Sequence, residues 1–97
     1  MKREEIVRIL HERQQELMER YQIVYLSLFG SVAHDESYVA HKVGILVKFK
    51  RPTDFFNFLD LKTYLEKLLR CQVELGRPHS LRPELRQLVL QEAVRVI

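Results

Sequence analysis

Seven residues, Ile23 to Phe29, are apolar almost without interruption and stop at Gly30. A short run of this kind fits a strand buried on both faces better than a half-exposed edge. Such a strand needs partners, and the rest of the chain supplies them. Val43, Ile45, Val47 and Phe49 alternate with Gly44, Leu46 and Lys48, which predicts a second strand with one clean apolar face, stopped by Pro52. Cys71, Val73 and Leu75 alternate with Gln72 and Glu74, predicting a short third strand before Gly76 and Pro78. Ile6, Leu10, Leu17 and Tyr21 form a helical stripe over residues 2–20. Thr53 or Asp54 caps a helix in which Phe55, Phe58, Leu61, Leu65 and Leu68 repeat at helical spacing to near Arg70, with its aromatics assigned to the core. Pro83 opens a last helix with Leu85, Leu88, Val89, Ala93 and Val96 on its inner side.

The expected fold is therefore α/β: a small mixed sheet covered by a layer of helices. Its order is helix, strand, long loop, strand, helix, strand, helix. The helical crossover makes strands two and three parallel if they are adjacent, while the direction of strand one is open. At 97 residues the chain has room for one domain, spanning residues 1–97, and its 46% hydrophobic and 30% charged residues are ordinary for a globular protein. Sixteen basic against 13 acidic residues leave a net charge of +3, too little to single out nucleic acid as a partner. No apolar run approaches the roughly 20 residues of a membrane span, and the charged first 22 residues lack the apolar centre of a signal peptide, so a cytoplasmic protein without membrane attachment is expected. Cys71 is the single cysteine, which excludes an internal disulfide and a cysteine-based zinc cluster and leaves a buried structural thiol.

Chemistry concentrates between the first two strands. In Phe29-Gly30-Ser31-Val32-Ala33 a strand end passes into what could be one helical turn. Gly30 permits a sharp turn with free N–H groups and Ser31 adds a hydroxyl, a combination suited to a phosphate or to a plain turn. His34 and His41 bracket the following loop as candidate ligands or proton carriers, or as solvated side chains. Tyr25, Tyr38 and Tyr64 fall in separate elements and form no stacking platform.

Leu28-Phe29-Gly30-Ser31-Val32-Ala33, then Val43-Gly44-Ile45-Leu46-Val47-Lys48-Phe49, then Asp60-Leu61-Lys62 through Leu65-Glu66 and finally Arg82-Pro83-Glu84-Leu85 resemble, over nearly the whole chain, the minimal nucleotidyltransferase family. That family is similar to the palm of DNA polymerase beta. The resemblance implies a glycine-serine turn that holds a nucleoside triphosphate through Gly30 and Ser31. It also implies two magnesium-binding aspartates two residues apart on the next strand, with a third carboxylate on a neighbouring strand. Alternate strand residues point the same way, so such a pair converges on one cation, which neutralises a transferring phosphoryl group.

Laid on without gaps from Gly30, the family's two aspartate positions fall on Lys42 and Gly44, and the third on Glu74, with Gln72 on the same face. Replacing two aspartates by lysine and glycine moves the local charge from −2 to +1. An ammonium about 4 Å from a divalent ion is repelled by roughly 8 kcal/mol at an effective dielectric near 20. The resemblance thus implies a catalytically degenerate member, with no catalytic residue at the substituted positions. Such a member would act as an antitoxin-like binding module for a small helical HEPN-type protein. One alternative is an active enzyme that transfers a nucleotidyl group from ATP to a protein, using Glu74, Asp35 or Glu36 with magnesium in an altered arrangement; ATP and magnesium are expected only in that case. Another is metal-free binding of nucleotide or nucleic-acid phosphate through Lys42 and Lys48, with Lys50 and Arg51 nearby; the other lysine reading is a solvated surface. Homo-oligomerisation is left open.

Overall fold

The computed structural model of the protein describes residues 1–35, 39 and 41–97. The first apolar run becomes strand β1 (Ile23–Phe29) and the second β2 (Lys42–Phe49). They pair antiparallel, with Leu28 opposite Ile45 and Phe29 opposite Gly44. Strand β3 (Gln72–Gly76) lies parallel to β2, with Val43 beside Val73 and Gly44 beside Glu74. Among the described residues the sheet order is β3-β2-β1-β4, where β4 is the two-residue strand Val94–Arg95 antiparallel to β1. The central position of β1 accounts for its unbroken apolar sequence: Leu26 and Leu28 on one face and Ser27 on the other are all fully buried.

On the Leu26 and Leu28 face, Val43, Ile45, Val47 and Val73 meet the helices α1 (Arg3–Glu12), α2 (Gln14–Arg20) and α4 (Phe55–Leu69) through Ile6, Leu10, Leu17, Leu61, Leu65 and Leu69. Each such leucine or isoleucine contributes about 1.5–3 kcal/mol by leaving water, so this face is the main source of stability. The helix predicted over residues 2–20 is two segments meeting at Arg13 (φ −104°, ψ 9°). The Arg13 N–H donates to both the Ile9 and Leu10 carbonyls at 3.2 Å, a tightened turn that keeps Leu17 on the buried stripe.

Helix α4 starts where expected: the Asp54 carboxylate accepts from the Asn57 N–H at 2.7 Å, and Arg70 stops the helix in the left-handed conformation (φ 55°). The core assignment of its first aromatic is overturned, since Phe55 is 67% exposed. Helical periodicity tells which residues share a face but not how far a neighbour extends along it: Phe58 packs against the core while Phe55 does not. The last helix, α5 (Pro83–Glu92), also differs from expectation. Leu85 and Leu88 are about half exposed, no residue of α5 is buried, and the chain leaves helical geometry at Ala93 (φ −64°, ψ 144°). Val96, just past β4, is buried in extended chain, its N–H donating to the Leu26 carbonyl at 2.8 Å. The open edge of β1 thus provides ladder bonds that a further helical turn would forgo.

The second face of the sheet carries Ser27, Phe29, Gly44, Leu46 and Glu74. It is partly covered by α5 and by a single 3-10 turn, Pro78–Ser80. Between β1 and β2 stands one helical turn, α3 (Ser31–His34).

Candidate functional site

Gly30 joins β1 to α3 at φ 80°, a conformation that L side chains rarely adopt, although a side chain there would meet no atom within 4 Å. The glycine is needed for its backbone angle and not for lack of space. Its carbonyl accepts from the Ala33 and His34 N–H groups at 3.0 and 3.1 Å, which closes the turn and leaves exposed Ser31 at its start. Beside the turn a shallow cleft of about 210 Å³ is lined by Phe29, Gly30, Ser31, Lys42, Gly44 and Glu74. The tertiary structure therefore brings together five predicted site residues: Gly30, Ser31, Lys42, Gly44 and Glu74.

Lys42 and Glu74 are diagonal neighbours on the same face of β2 and β3, and they pair across it, Nζ to Oε2 3.7 Å. Both side chains are more than half exposed, so the pair is worth at most about 1 kcal/mol to folding. Its local consequence is larger, because the carboxylate facing the cleft is already matched by a cation. Gly44 is closed in: an added Cβ would lie 2.6 Å from the Phe29 carbonyl oxygen and 2.9 Å from its ring.

Lys48 does not join this group. It lies six residues along β2 from Lys42, about 20 Å away at roughly 3.3 Å per residue. Its ammonium sits 4.9 Å from the centre of the Tyr25 ring, which Arg95 also approaches at 5.1 Å. Strand alternation gave the correct face, but the length of the strand separates the two lysines. His34 is carried to α5, with Nδ1 3.5 Å from a Glu92 carboxylate oxygen, and the residues lining the cleft include neither His34 nor His41. Among the described residues no three His, Cys, Asp or Glu side chains gather as a metal would require. Glu36 and Tyr38 lie outside the described residues.

Tyr64 belongs to the helical side of the molecule. Its hydroxyl donates to Glu16 at 2.8 Å and its ring lies 5.4 Å from that of Tyr21. Burial, then the bond to the Glu16 carboxylate, push its pKa up to about 12. Burial likewise raises the half-buried Cys71 thiol, which disfavours the reactive thiolate. Sequence reasoning missed Phe29 as a wall of the site, because its contact with Gly44 depends on the register between two strands joined by a long loop.

A mixed sheet with a glycine-serine turn after its first strand, facing the start of the second, defines the nucleotidyltransferase palm class. No protein-family model matches the chain. It is, however, 37% identical over 93 residues to the protein adenylyltransferase MntA of Thermococcus cleftensis, covering 96% of this chain and 94% of that one. A solved minimal nucleotidyltransferase matches at 33% identity with a TM-score of 0.77, covering 97% and 95% of the two chains. The chain therefore belongs to the minimal nucleotidyltransferase family of MntA-type protein adenylyltransferases. A structure of a tri-AMPylated Shewanella oneidensis HEPN toxin in complex with MNT antitoxin also shares the fold, with a TM-score of 0.66 at 18% identity over 94% of this chain and 71% of the matched one. Among the described residues no helix is long and apolar enough to cross a membrane.

Proposed function

We propose that residues 1–97 form a single nucleotidyltransferase domain that has lost metal-dependent catalysis and serves as the antitoxin-like partner of a small helical HEPN-type protein. The observation that carries the loss of catalysis is the Lys42–Glu74 pair. An ammonium stands at the first of the two positions that the family fills with metal-binding aspartates, and it neutralises the remaining carboxylate at 3.7 Å. Magnesium needs several oxygen ligands in octahedral geometry, and this donor set does not fit it: Gly44 offers no side chain, and Glu74 is a single ligand already paired.

The partner is inferred from kinship. Structures that share this fold, at 17–19% identity, include toxin–antitoxin complexes described as MntA–HepT and as HEPN toxin with MNT antitoxin. A domain that keeps the scaffold retains a surface able to bind such a partner after its chemistry is gone. Exposed Phe55, Phe56, Leu85 and Leu88 supply apolar area of the kind that protein interfaces use.

The test is co-expression with a HEPN-type protein encoded next to this chain, followed by incubation with labelled ATP and magnesium or manganese. The expected result is a stable complex with no label on the partner. Transfer of label by the native chain overturns the loss of catalysis, and a chain that elutes alone in the presence of the partner overturns the antitoxin role. A second reading, metal-free nucleotide binding, is favoured by the presence of Lys42 in the same cleft as Gly30 and Ser31. It predicts ATP binding that is unchanged by chelator and lost in Lys42→Gln.

A further inference from the structure

At the opposite end of β2 from the glycine-serine turn, the chain forms a second cleft of about 250 Å³. It is lined by Lys48, Lys50, Arg51, Arg77 and His79, together with Phe49, Pro52 and Thr53. Among the described residues no carboxylate lines it. Lys50, Arg51 and Arg77 bring three cationic side chains to it from two separate segments, the end of β2 and the connection after β3, while Lys48 lines it with its ammonium 4.9 Å from the Tyr25 ring. A concave wall of one sign focuses the field and raises the local concentration of the opposite ion.

Arg77 distinguishes this cleft from a patch of solvated lysines. Its guanidinium is held between two aromatic rings, 4.9 Å from the centre of Phe58 and 5.7 Å from that of Phe49. Its Nε is buried and finds no hydrogen-bond acceptor among the described residues. Buried polar atoms are nearly always satisfied, so this donor is unmet, and a guanidinium in the wall of an opening offers its terminal N–H groups to an anionic oxygen. Asp54 lies with Arg51 in the adjoining groove, where its carboxylate caps α4.

We propose that this cleft is an anion site for a compact ligand carrying two or three phosphate groups, with Arg77 as its oriented fork and Lys50 and Arg51 as outer clamps. Its volume is below the roughly 300–1,000 Å³ that holds a whole drug-sized ligand, so it suits the phosphates and not a buried nucleoside. The site is separate from the Gly30–Ser31 cleft and does not depend on whether that cleft is catalytic.

Calorimetric titration with inorganic tripolyphosphate tests the assignment. Saturable binding is expected, weakened by high salt, and about tenfold weaker in Lys50→Gln/Arg51→Gln, whose exposed side chains put folding at little risk. Arg77→Met, checked for folding by circular dichroism, should abolish it. Absence of saturable binding, or unchanged affinity in the Lys50 and Arg51 double variant, overturns the site. Loss of binding in Ser31→Ala/Lys42→Gln with the second cleft intact also overturns it, by moving the anion to the other end of the sheet. A single-stranded RNA 12-mer that binds more than about tenfold tighter than tripolyphosphate would overturn the compact-ligand assignment in favour of a nucleic-acid backbone. None of these outcomes bears on complex formation with a HEPN-type partner, so the two proposals fail separately.

Discussion

One methyl group at Gly44 distinguishes a closed second-aspartate position from a merely vacant one. Glycine to alanine at an unobstructed strand position stabilises by about 0.5–1 kcal/mol, because alanine has less freedom to lose on folding. At Gly44 the new Cβ would lie 2.6 Å from the Phe29 carbonyl oxygen and 2.9 and 3.0 Å from two ring carbons. The ring can rotate away, but the carbonyl belongs to the backbone of central strand β1 and moves only with its ladder. Overpacking of this kind costs roughly 1–3 kcal/mol, which outweighs the entropic gain. Gly44→Ala should therefore be less stable than the native chain by about 1–2 kcal/mol, whereas Gly76→Ala is neutral or stabilising, its Cβ lying at an ordinary 3.7 Å from Leu46. Urea unfolding and thermal melting followed by circular dichroism measure both. In a chain of this size 1 kcal/mol corresponds to about 4–8 °C, so the two variants should separate clearly. A Gly44→Ala protein as stable as the native chain or more so would refute the closure of the position by Phe29. The same geometry bears on restoring the metal site: Lys42→Asp/Gly44→Asp carries the clash with it, and adding Phe29→Ala relieves the ring contact but leaves the carbonyl.

Three further outcomes are expected. Glu74→Gln removes the partner of an exposed lysine and should change stability by less than about 1 kcal/mol in denaturant titration; a loss above 2 kcal/mol would show that the pair carries structure. Because the folded Tyr64 pKa is raised, its contribution to stability is fully present below the ordinary value of 10.0 and is lost as pH climbs through about 12. Phenolate absorbance should show two tyrosines ionising late, since burial also raises Tyr21, and Glu16→Gln should bring Tyr64 earlier. Asp54→Ala deletes the bond to the Asn57 N–H and should cost about 0.5–2 kcal/mol in unfolding experiments; no change would mean that the cap is replaced by water without penalty.

Much of the fold was legible because its signals are local. The apolar run ending at Gly30, the alternation around Val43 to Phe49, the Asp54 cap and the Pro83 start each depend on a few consecutive residues, and each appears in the structure where the sequence placed it. The errors lie where a distant partner decides. Phe55 and Leu88 have core-like spacing without a neighbour to cover them, and Val94 to Val96 continue a helical pattern but are captured by the free edge of β1.

The candidate site divides in the same way. The amino acids alone determined that a glycine-serine turn follows a buried strand, and that lysine and glycine stand where the resemblance implies aspartates. They also placed Lys42, Lys48 and Gly44 on one face, since side-chain direction in a strand depends only on counting by twos. Only the tertiary structure decided that Lys42 pairs with Glu74, that Phe29 fills the space over Gly44, and that Lys48 joins Arg77 in a separate cleft. Those three facts depend on strand register and on which strands become neighbours. Both are set by burial of the whole apolar face at once, a property of the assembled sheet and not of any one segment.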